Sequence, residues 1–521
     1  MDTIHEQLIR KLGKLKVKNL NRLNKIKRKF ASEHRLGMIS NADLLSVYRG
    51  LLKKKKIEQN KDLEALLQKR KIRTLSGVAP VAVLTKPYEC PGQCAYCPSE
   101  DDMPKSYLSN EPAVMRAQLT DFDPFDQVKV RIRALTENGH NTDKIELIVM
   151  GGTWSYFPRQ YQNWFIKKCF DACNPRTAKT LEQAQKWNEK AKHRIVAITL
   201  ETRPDYIDET EIKYWRKLGA TKVELGVQTL NDKVLKLNKR GHGVDAVIKA
   251  THLFKQAGFK IAYHMMPNLP GATVKTDLDD FHRLFNDPSF QPDLLKIYPT
   301  VVTQNSELFK WWQQGKYKPY SDKVLFNLLL EMKLSVPDYV RIIRLIRDIP
   351  KESIEAGNIV SNLREDLQNA IHDQGKRCKC IRCREAREDV SDLEKAKLAI
   401  EKYPASDATE YFLQFTSKNK RKLYAFLRLR LPSKDEKAFI PELEGTAMIR
   451  EVHTYGKLIP LKGKEKGIQH MGFGTRLTKE AEKIAKEAGF SKMTVISGVG
   501  VRGFYRKLGY RLEGTYMTKK I

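Results

Sequence analysis

The chain has 521 residues, of which 41% are hydrophobic, and it carries a formal net charge of +33. This length is enough for two or three domains, and so large a positive charge indicates a polyanionic partner such as nucleic acid. The eight cysteines lie in local groups, and no stretch has the length of a membrane span or the apolar segment of a signal peptide. These features argue against a secreted disulfide scaffold, and we expect a cytoplasmic protein with no membrane attachment.

Residues 1–77 are expected to form a basic helical extension, because leucines and isoleucines recur at helical spacing among lysines and arginines. The basic side chains fall into three clusters with little acidic compensation: Arg10 to Lys29, Lys53–Lys56, and Lys69 to Arg73. A solvated helix face or a disordered arm would also have this composition. We favour binding of nucleic-acid phosphates, because each such contact needs a cation.

Residues 78–340 alternate short apolar runs with amphipathic stretches, a pattern that predicts parallel strands separated by helices. The predicted strands are Val81–Leu84, Ile145–Met150, Ile195–Leu200, Val223–Val227, Ile261–Met266 and Leu294–Tyr298. Helices are expected between them, for example over Asp208–Leu218 and Asp245–Ala257. Repeated units of this kind close into a full or partial (β/α) barrel, whose catalytic residues belong at the carboxyl ends of the strands.

Three cysteines follow the first predicted strand with the spacing C-x3-C-x2-C: Cys90, Cys94 and Cys97. Three thiolates at this spacing can hold three irons of a 4Fe-4S cluster and leave the fourth iron open. An open iron can bind the amino and carboxylate groups of S-adenosylmethionine and pass it one electron, which yields a 5′-deoxyadenosyl radical. Tyr96 suits this interpretation, since its ring can pack beside the adenine. A zinc knuckle is the alternative.

Polar residues stand at the ends of the next predicted strands, where a buried polar group needs a ligand or a partner. They are Gly151, Gly152 and Thr153 after the second strand, Glu201 and Arg203 after the third, Gln228 after the fourth and His264 in the fifth. We expect the first six to bind S-adenosylmethionine and His264 to be catalytic. A buried ion pair between Glu201 and Arg203 and an ordinary core histidine are the alternatives.

Residues 341–395 form a polar connector that contains a second cysteine group, Cys378, Cys380 and Cys383. Three thiolates within six residues suit a structural zinc better than a disulfide network. His372 is the nearest histidine in sequence for a fourth ligand, and a histidine from elsewhere is the alternative.

Residues 396–521 have the pattern of a compact α/β unit, with strands predicted at Tyr411–Phe415, Leu423–Leu431, Ala447–Val452 and Lys492–Ile496. The pattern Q-x-x-G-x-G at 469–474 opens an amphipathic helix over 475–488 and resembles the coenzyme A loop of GNAT acetyltransferases. Backbone N–H groups at such a helix start can face a pyrophosphate. The resemblance implies that the preceding strand offers its edge to the pantetheine and that a tyrosine lies near the thiol. The expected acetyl-CoA residues are Glu451, Val452, His453, Gln469, Gly472, Phe473, Gly474, Thr475, Phe504 and Tyr505.

Five ordered motifs in the barrel region resemble the catalytic subunit of Elongator, a family of tRNA wobble-uridine modifying enzymes, and look most like its archaeal members. The motifs lie at residues 145–153, 201–206, 225–229, 264–271 and 295–300. Many members have a longer gap between the first two cysteines, whereas the gap of three residues here is general among radical SAM enzymes. The resemblance covers residues 75–521. It implies a radical SAM barrel with a GNAT-like domain, acetyl-CoA as co-substrate, tRNA as substrate and a protein electron donor; a homo-oligomer is left open.

The resemblance implies a joint reaction of the two halves, and the two cofactor motifs are consistent with it. A 5′-deoxyadenosyl radical could take hydrogen from the acetyl methyl group, and the carbon radical could add to carbon 5 of a uridine in the anticodon loop. Electron loss and thioester hydrolysis would leave a carboxymethyl group. The family's acetyl-CoA-contacting lysine falls on Lys144, and the catalytic candidates are Lys296, His264 and Tyr505. A solvated lysine at a strand end is the alternative for Lys144, and a buried ion pair is the alternative for Lys296.

Two other functions are open at this point. A protein lysine or histone acetyltransferase would use only the C-terminal domain, and it would leave the first cysteine loop and the positive charge unexplained. A noncatalytic RNA-binding scaffold would have no need for intact cysteine spacing or an intact coenzyme A loop.

Overall fold

The structure is a computed structural model that describes residues 3–15, 17, 19–68, 77–360, 362–387, 392–455 and 472–521. In these ranges it contains an N-terminal helical bundle, a seven-stranded parallel sheet and a seven-stranded mixed sheet, both sheets packed with helices. This confirms the expected fold class, a partial (β/α) barrel followed by a second α/β domain. No helix of these ranges is long and apolar enough to cross a membrane.

The N-terminal region folds into helices around an apolar core of its own, which includes Leu12, Leu23 and Leu44. The described helices are α1 (Ile4–Lys14), α2 (Leu20–Glu33), α3 (Asn41–Lys53) and α4 (Lys61–Leu67). Arg49 joins this bundle to the barrel by donating to the Thr136 carbonyl at 3.0 Å. The expected helical extension is therefore present.

Only some of the basic side chains of this bundle are exposed, so that a phosphate could reach them. The side chains of Lys53–Lys56 are exposed. Lys27 differs from the expectation, because its side chain is buried in the bundle and donates to Asn41. The cluster from Lys69 to Arg73 lies outside the described residues.

The first sheet is an open half-barrel in which every neighbouring pair of strands is parallel and the strands follow one another in chain order. Its strands are β1 (Ala79–Leu84), β2 (Lys144–Met150), β3 (Arg194–Thr202), β4 (Lys222–Gln228), β5 (Lys260–Met265), β6 (Leu294–Ile297) and β7 (Arg341–Arg344). The six predicted strands are confirmed, and β7 lies in the segment expected to be a connector. In β2 buried side chains alternate with half-buried ones. One face of the strand therefore packs on helices, and the other lines the barrel interior.

Helices cover the outer face of the half-barrel and place polar loops at its carboxyl end. They are α5 (Pro112–Gln118), α6 (Pro124–Glu137), α7 (Arg159–Cys173), α8 (Leu181–Asn188), α9 (Glu209–Leu218), α10 (Asp232–Leu237), α11 (Val244–Gln256), α12 (Val274–Asn286), α13 (Glu307–Gln313) and α14 (Asp322–Ser335). The bounds follow local capping signals: at α9, Asp208 accepts from the Glu211 N–H and Gly219 ends the helix with a φ of 92°.

Two short helices, α15 (Leu363–Asp373) and α16 (Ile381–Arg384), lead to the second sheet. Its strands are β8 (Lys397–Ala405), β9 (Ala408–Thr416), β10 (Leu423–Pro432), β11 (Ala447–Thr454), β12 (Lys492–Val495), β13 (Arg511–Glu513) and β14 (Tyr516–Lys520). The spatial order is β13-β14-β12-β11-β10-β9-β8, and β11 with β12 is its one parallel pair among the described strands. The helices α17 (Phe473–Glu487) and α18 (Arg502–Lys507) pack with this sheet.

A fully buried ionic network fastens the two sheets together. Asp293, at the start of β6, accepts from Arg450 of β11 at 2.9 Å and lies 3.4 Å from Lys255. Arg450 and Lys255 also approach Glu410 of β9, at 3.3 and 3.8 Å. Because separating these buried charges would leave them uncompensated, the network gives the second domain a defined position against the barrel.

Candidate active site

The first cysteine loop lies at the carboxyl end of the half-barrel, between β1 and α5. Backbone hydrogen bonds hold this loop in place. The Cys97 N–H donates to the Cys94 carbonyl at 3.0 Å, and the Ala95 N–H donates to the Asn238 carbonyl at 3.1 Å. Within the described part of the chain, the sulfur atoms of Cys90, Cys94 and Cys97 do not all converge within 4.8 Å.

Two arginines reach the middle cysteine of this loop. Arg240 Nη1 donates to Cys94 Sγ at 3.3 Å, and Arg203 Nη1 lies 3.9 Å from the same sulfur. Burial would raise the pKa of the Cys94 thiol, but the two guanidinium charges outweigh burial and lower it. Burial raises the pKa of Cys97 to about 11. Sequence reasoning missed Arg240, which follows α10 and belongs to no local motif.

The predicted glycine turn after β2 faces the cysteine loop. Gly151 and Gly152 have φ values of 131° and 97°, which favour glycine. A Cβ atom on Gly151 would lie 1.9 Å from Thr85 Oγ1, so the two segments are in close contact. Thr153 Oγ1 lies 3.8 Å from Cys90 Sγ. This predicted turn therefore belongs to the same site as the cysteines.

Charged side chains of the barrel interior converge on Lys296 of β6. Its Nζ contacts Glu224 and lies 3.7 Å from Glu201. His264 Nε2 lies 3.2 Å from Glu224 Oε2, and Tyr107 donates to Glu201 at 2.8 Å. The sequence analysis missed Glu224, although a glutamate at an inward position of a buried strand is itself a signal for a partner.

The ionisation of this cluster follows from its burial. Burial raises the pKa of Glu201 to about 7, although the charge of Lys296 acts to lower it. Burial and the charge of Lys296 together lower the pKa of His264 to about 4, so this imidazole is neutral at pH 7. Burial opposes ionisation of Glu224, but Lys296 outweighs it and holds the pKa of that carboxyl well below its usual range. Glu201 does not pair with Arg203, whose partner is Asp205 at 2.7 Å.

One cavity of about 1670 Å³ connects the cysteine loop with the second sheet. Its walls include the three cysteines, the Lys296 cluster and, from the second domain, residues 451–454 of β11 with the following Tyr455. Lys144 also lines it, and burial together with the charge of Arg194 lowers the pKa of that lysine. The barrel and the second domain therefore share one internal space.

The edge of β11 is open at this cavity. Pairing with β12 covers only Ala447, Met448 and Ile449, whereas β11 continues to Thr454. The register to β10 shifts between Ile449 and Glu451, which is a β-bulge. Within the described part of the chain, no strand pairs with residues 450–454 on the β12 side. A strand that runs on beyond its neighbour in this way presents an edge along which an extended ligand can bind.

The other described acetyl-CoA candidates do not line the cavity, and those at the start of α17 lie beside this edge. Gly472 precedes α17 with a φ of 64°, and Gly474 faces Val452, to which a Cβ would approach within 3.8 Å. Phe473 is buried and Thr475 is half-buried at the start of α17. Tyr505 is buried in the core of the domain, next to the half-exposed ring of Phe504. Gln469 lies outside the described residues.

The second cysteine group is compact. The sulfur atoms of Cys378, Cys380 and Cys383 lie within 4.8 Å of one another. Lys333 Nζ lies 3.5 Å from the Cys383 sulfur. His372 points away, since 91% of its side chain is exposed. The three thiols thus have the convergence that a single metal ion requires, without that histidine.

Comparison with known proteins agrees with these features. The radical SAM superfamily matches residues 86–284, and the radical SAM C-terminal domain matches residues 292–373. The tRNA uridine(34) acetyltransferase of Methanocaldococcus infernus is 44% identical over 100% of this chain and 99% of its own length. The human Elongator complex protein 3 is 37% identical over 96% of this chain and 93% of its own.

A solved structure extends the comparison to the fold. The archaeal Methanocaldococcus infernus Elp3 with an N-terminal deletion matches with a TM-score of 0.75 and 44% identity, covering 85% of this chain and 99% of its own. The chain belongs to the Elongator complex protein 3 family. Membership in this radical SAM family implies a 4Fe-4S cluster and S-adenosylmethionine as cofactors.

The residues of this family member fit those cofactors. The hydroxyl of Thr85 and the amide oxygen of Gln228 are buried without a hydrogen-bond partner among the described residues. A buried polar atom in this state is costly unless a ligand satisfies it. Gln228 also has a φ of 74°, the kind of backbone strain that is retained at functional sites. Both observations favour a polar ligand beside the cysteine loop.

Proposed function

We propose that the protein modifies the wobble uridine of tRNA by attaching an acetyl-CoA-derived carboxymethyl group to carbon 5 of the base. Its relatives include proteins named tRNA uridine(34) acetyltransferase. The observation that carries the proposal is the shared cavity, which contains both the cysteine loop and the open edge of β11. An enzyme that only acetylated amines would have no use for this connection.

At the barrel end of the cavity, Cys90, Cys94 and Cys97 would hold the cluster. The turn Gly151–Thr153, together with Glu201, Arg203 and Gln228, would bind S-adenosylmethionine. When bound, these cofactors supply a 5′-deoxyadenosyl radical that can take hydrogen from the acetyl methyl group. The side chains of the barrel interior exclude bulk water from that radical.

At the other end, acetyl-CoA would lie along the open edge of β11. Residues 451–453 offer backbone groups to the pantetheine amides, and the start of α17 at Gly472–Thr475 offers N–H groups to the pyrophosphate. Gln469 and Phe504 would line the same ligand, and Tyr505 would act from the adjoining core. The thioester would reach the barrel past Lys144.

The uridine would enter the same cavity from an anticodon loop, because a base must leave its stack before carbon 5 is accessible. Lys296 and His264 line the same cavity and would contact such a base. Lys53–Lys56 and the other exposed cations of the N-terminal bundle would bind tRNA phosphates. An electron donor protein is needed to reduce the cluster, and the second cysteine group would hold a structural zinc.

Anaerobic incubation of the reconstituted protein with dithionite, S-adenosylmethionine, acetyl-CoA and bulk tRNA tests this function. Nucleoside analysis should show a carboxymethylated uridine and 5′-deoxyadenosine, and omission of acetyl-CoA should abolish the modified nucleoside. A Lys296→Met variant should still bind cluster and coenzyme A, but should yield less product. Acetylated protein lysines with unmodified tRNA would instead identify a protein acetyltransferase.

A further inference from the structure

Two buried guanidinium groups lie next to the sulfur of Cys94. Arg240 Nη1 donates to Cys94 Sγ at 3.3 Å, and Arg203 Nη1 lies 3.9 Å away. Both arginines are only 6% exposed. Cys90 has different neighbours, since its sulfur faces the Thr153 hydroxyl at 3.8 Å and the Gly92 N–H at 3.5 Å. Arg240 and Arg203 therefore act on Cys94 rather than Cys90, while Cys97 has other cations, Arg347 and Lys105, near it.

Three glycines make the space for these guanidinium groups. A Cβ on Gly92, inside the cysteine loop, would lie 2.3 Å from Arg203 Nη1. A Cβ on Gly226 would lie 2.7 Å from Arg240 Nη2, and one on Gly241 would lie 3.3 Å from Arg203 Nη2. Contacts shorter than about 3 Å are repulsive, so larger side chains at Gly92 and Gly226 would push the arginines away from the sulfur.

The two arginines differ in how their charge is balanced. Arg203 forms a bidentate ion pair with Asp205, with hydrogen bonds of 3.0 and 2.7 Å. It also donates to the Arg240 carbonyl at 2.7 Å. Arg240 donates to the Gly226 carbonyl, and within the described residues no carboxylate lies at ion-pair distance from it. The groups that balance the charge of Arg240 are the Tyr96 hydroxyl, the sulfur of Cys94 and the more distant Asp205, and Cys94 is the one that accepts its hydrogen bond.

We propose that Arg240 is a positioning residue that holds Cys94 as a cluster ligand and raises the reduction potential of the cluster. The inference rests on the cluster assignment of the proposed function. A buried cation and a hydrogen bond to a ligand sulfur stabilise the more negative, reduced state of an iron–sulfur centre. Arg203 adds a smaller effect in the same direction, because Asp205 offsets most of its charge.

An EPR-monitored redox titration tests this role without turnover. Wild type and Arg240→Gln are reconstituted anaerobically, checked for iron content, and titrated in the absence of S-adenosylmethionine and tRNA. Arg240→Gln should shift the midpoint potential to a more negative value, while Arg203→Gln and Arg240→Lys should shift it less. Lys351→Gln removes an exposed charge from another part of the same cavity wall and should leave the potential unchanged.

Each outcome decides the proposal. An unchanged potential in a fully loaded Arg240→Gln protein overturns it, because a residue that only bound S-adenosylmethionine or supported the fold would leave the free cluster unaltered. If Arg240→Gln takes up no iron, the loaded Arg203→Gln and Arg240→Lys proteins decide, and wild-type potentials in both overturn it. Wild-type protein that assembles no cluster would instead contradict the proposed function itself.

Discussion

Lys260 and Glu451 meet across the boundary of the two domains, with Lys260 Nζ 3.1 Å from Glu451 Oε1. Lys260 begins a barrel strand and Glu451 lies at the open edge of β11, and both line the shared cavity. Arg428 Nε lies 3.0 Å from the other oxygen of Glu451. The barrel and the second domain are therefore in direct contact at the wall of the shared cavity.

The first prediction concerns the cysteine loop. Cys90→Ala should abolish the 4Fe-4S cluster, because two thiolates cannot hold the three irons that a site-differentiated cluster needs. Iron content should fall from about four per chain to near zero, and the cluster absorption should disappear. Cys173→Ala, which alters a buried thiol of α7, is the matched control and should keep its iron. Full iron loading of Cys90→Ala would refute the assignment.

The second prediction concerns coenzyme A. Gly474 faces Val452 and Phe504, with 3.8 and 3.5 Å from an added Cβ, so Gly474→Leu would fill the space between α17 and the open edge. We expect calorimetry to show a loss of acetyl-CoA affinity of at least about tenfold, which is about 1.4 kcal/mol. Gly503→Leu adds the same side chain where nothing lies within 4 Å, and it should bind normally. Wild-type affinity in Gly474→Leu would move the ligand elsewhere.

The third prediction concerns tRNA and salt. Replacing Lys53, Lys54 and Lys56 by glutamine removes three exposed cations from the N-terminal bundle. Affinity for tRNA should fall, because fewer phosphates are neutralised and fewer counterions are released on binding. The slope of log K against log salt should become shallower by about 0.7–0.9 for each phosphate that the variant no longer neutralises.

A matched control exists in the second domain. Glutamines at Lys479, Lys483 and Lys486 remove three exposed lysines from α17 and should alter neither affinity nor slope. Equal effects of the two triple variants would mean that only net charge matters, and would contradict a specific role for the bundle.

The fourth prediction concerns the network that joins the domains. Asp293→Asn would leave Arg450 and Lys255 buried without their main partner, and it should lower the free energy of unfolding by about 3–5 kcal/mol in urea denaturation. Asp279→Asn breaks an exposed pair with Lys275 and should cost no more than about 1 kcal/mol. Similar values for both variants would show that the network contributes little.

The same network predicts a pH dependence. Despite burial, Arg450 and its neighbours hold the pKa of Asp293 below its usual range, and Lys260 and Arg428 lower the pKa of Glu451 to about 2. A carboxyl group whose pKa is lowered by folding stabilises the fold fully at pH values above its pKa in the unfolded chain, about 4. This stabilisation is lost as the pH falls through the pKa of the folded state. Unfolding free energy should therefore drop from pH 5 towards pH 2, and less steeply in Asp293→Asn.

The sequence predicted those strands whose apolar runs are continuous, because their burial on both faces leaves a strong local pattern. It missed β7, where only Ile342 and Ile343 separate two arginines, the short strands β13 and β14 near the end of the sequence, and β8, an edge strand whose side chains are mostly exposed. The edge strand lacks the pattern because one side of it meets solvent.

Some residues of the candidate site could likewise be predicted from local sequence, and others could not. The cysteine spacing and the glycine turn are local signals, and the structure brings both to one place. Glu224 and Arg240 gain their roles only from the strand register and from a loop that folds back onto Cys94, and no local pattern contains that information. Tyr505 is local in sequence to the coenzyme A motif, yet its ring lies in the domain core.

The most direct test of the central claim uses acetyl-CoA whose methyl group carries deuterium. If the acetyl methyl loses hydrogen to the 5′-deoxyadenosyl radical and its carbon then bonds to carbon 5, one deuterium atom should appear in 5′-deoxyadenosine. The other two should appear in the carboxymethyl group of the wobble uridine, as read by mass spectrometry of both products from one reaction. Deuterium that enters protein lysines as an intact acetyl group, with none in 5′-deoxyadenosine or tRNA, would contradict it.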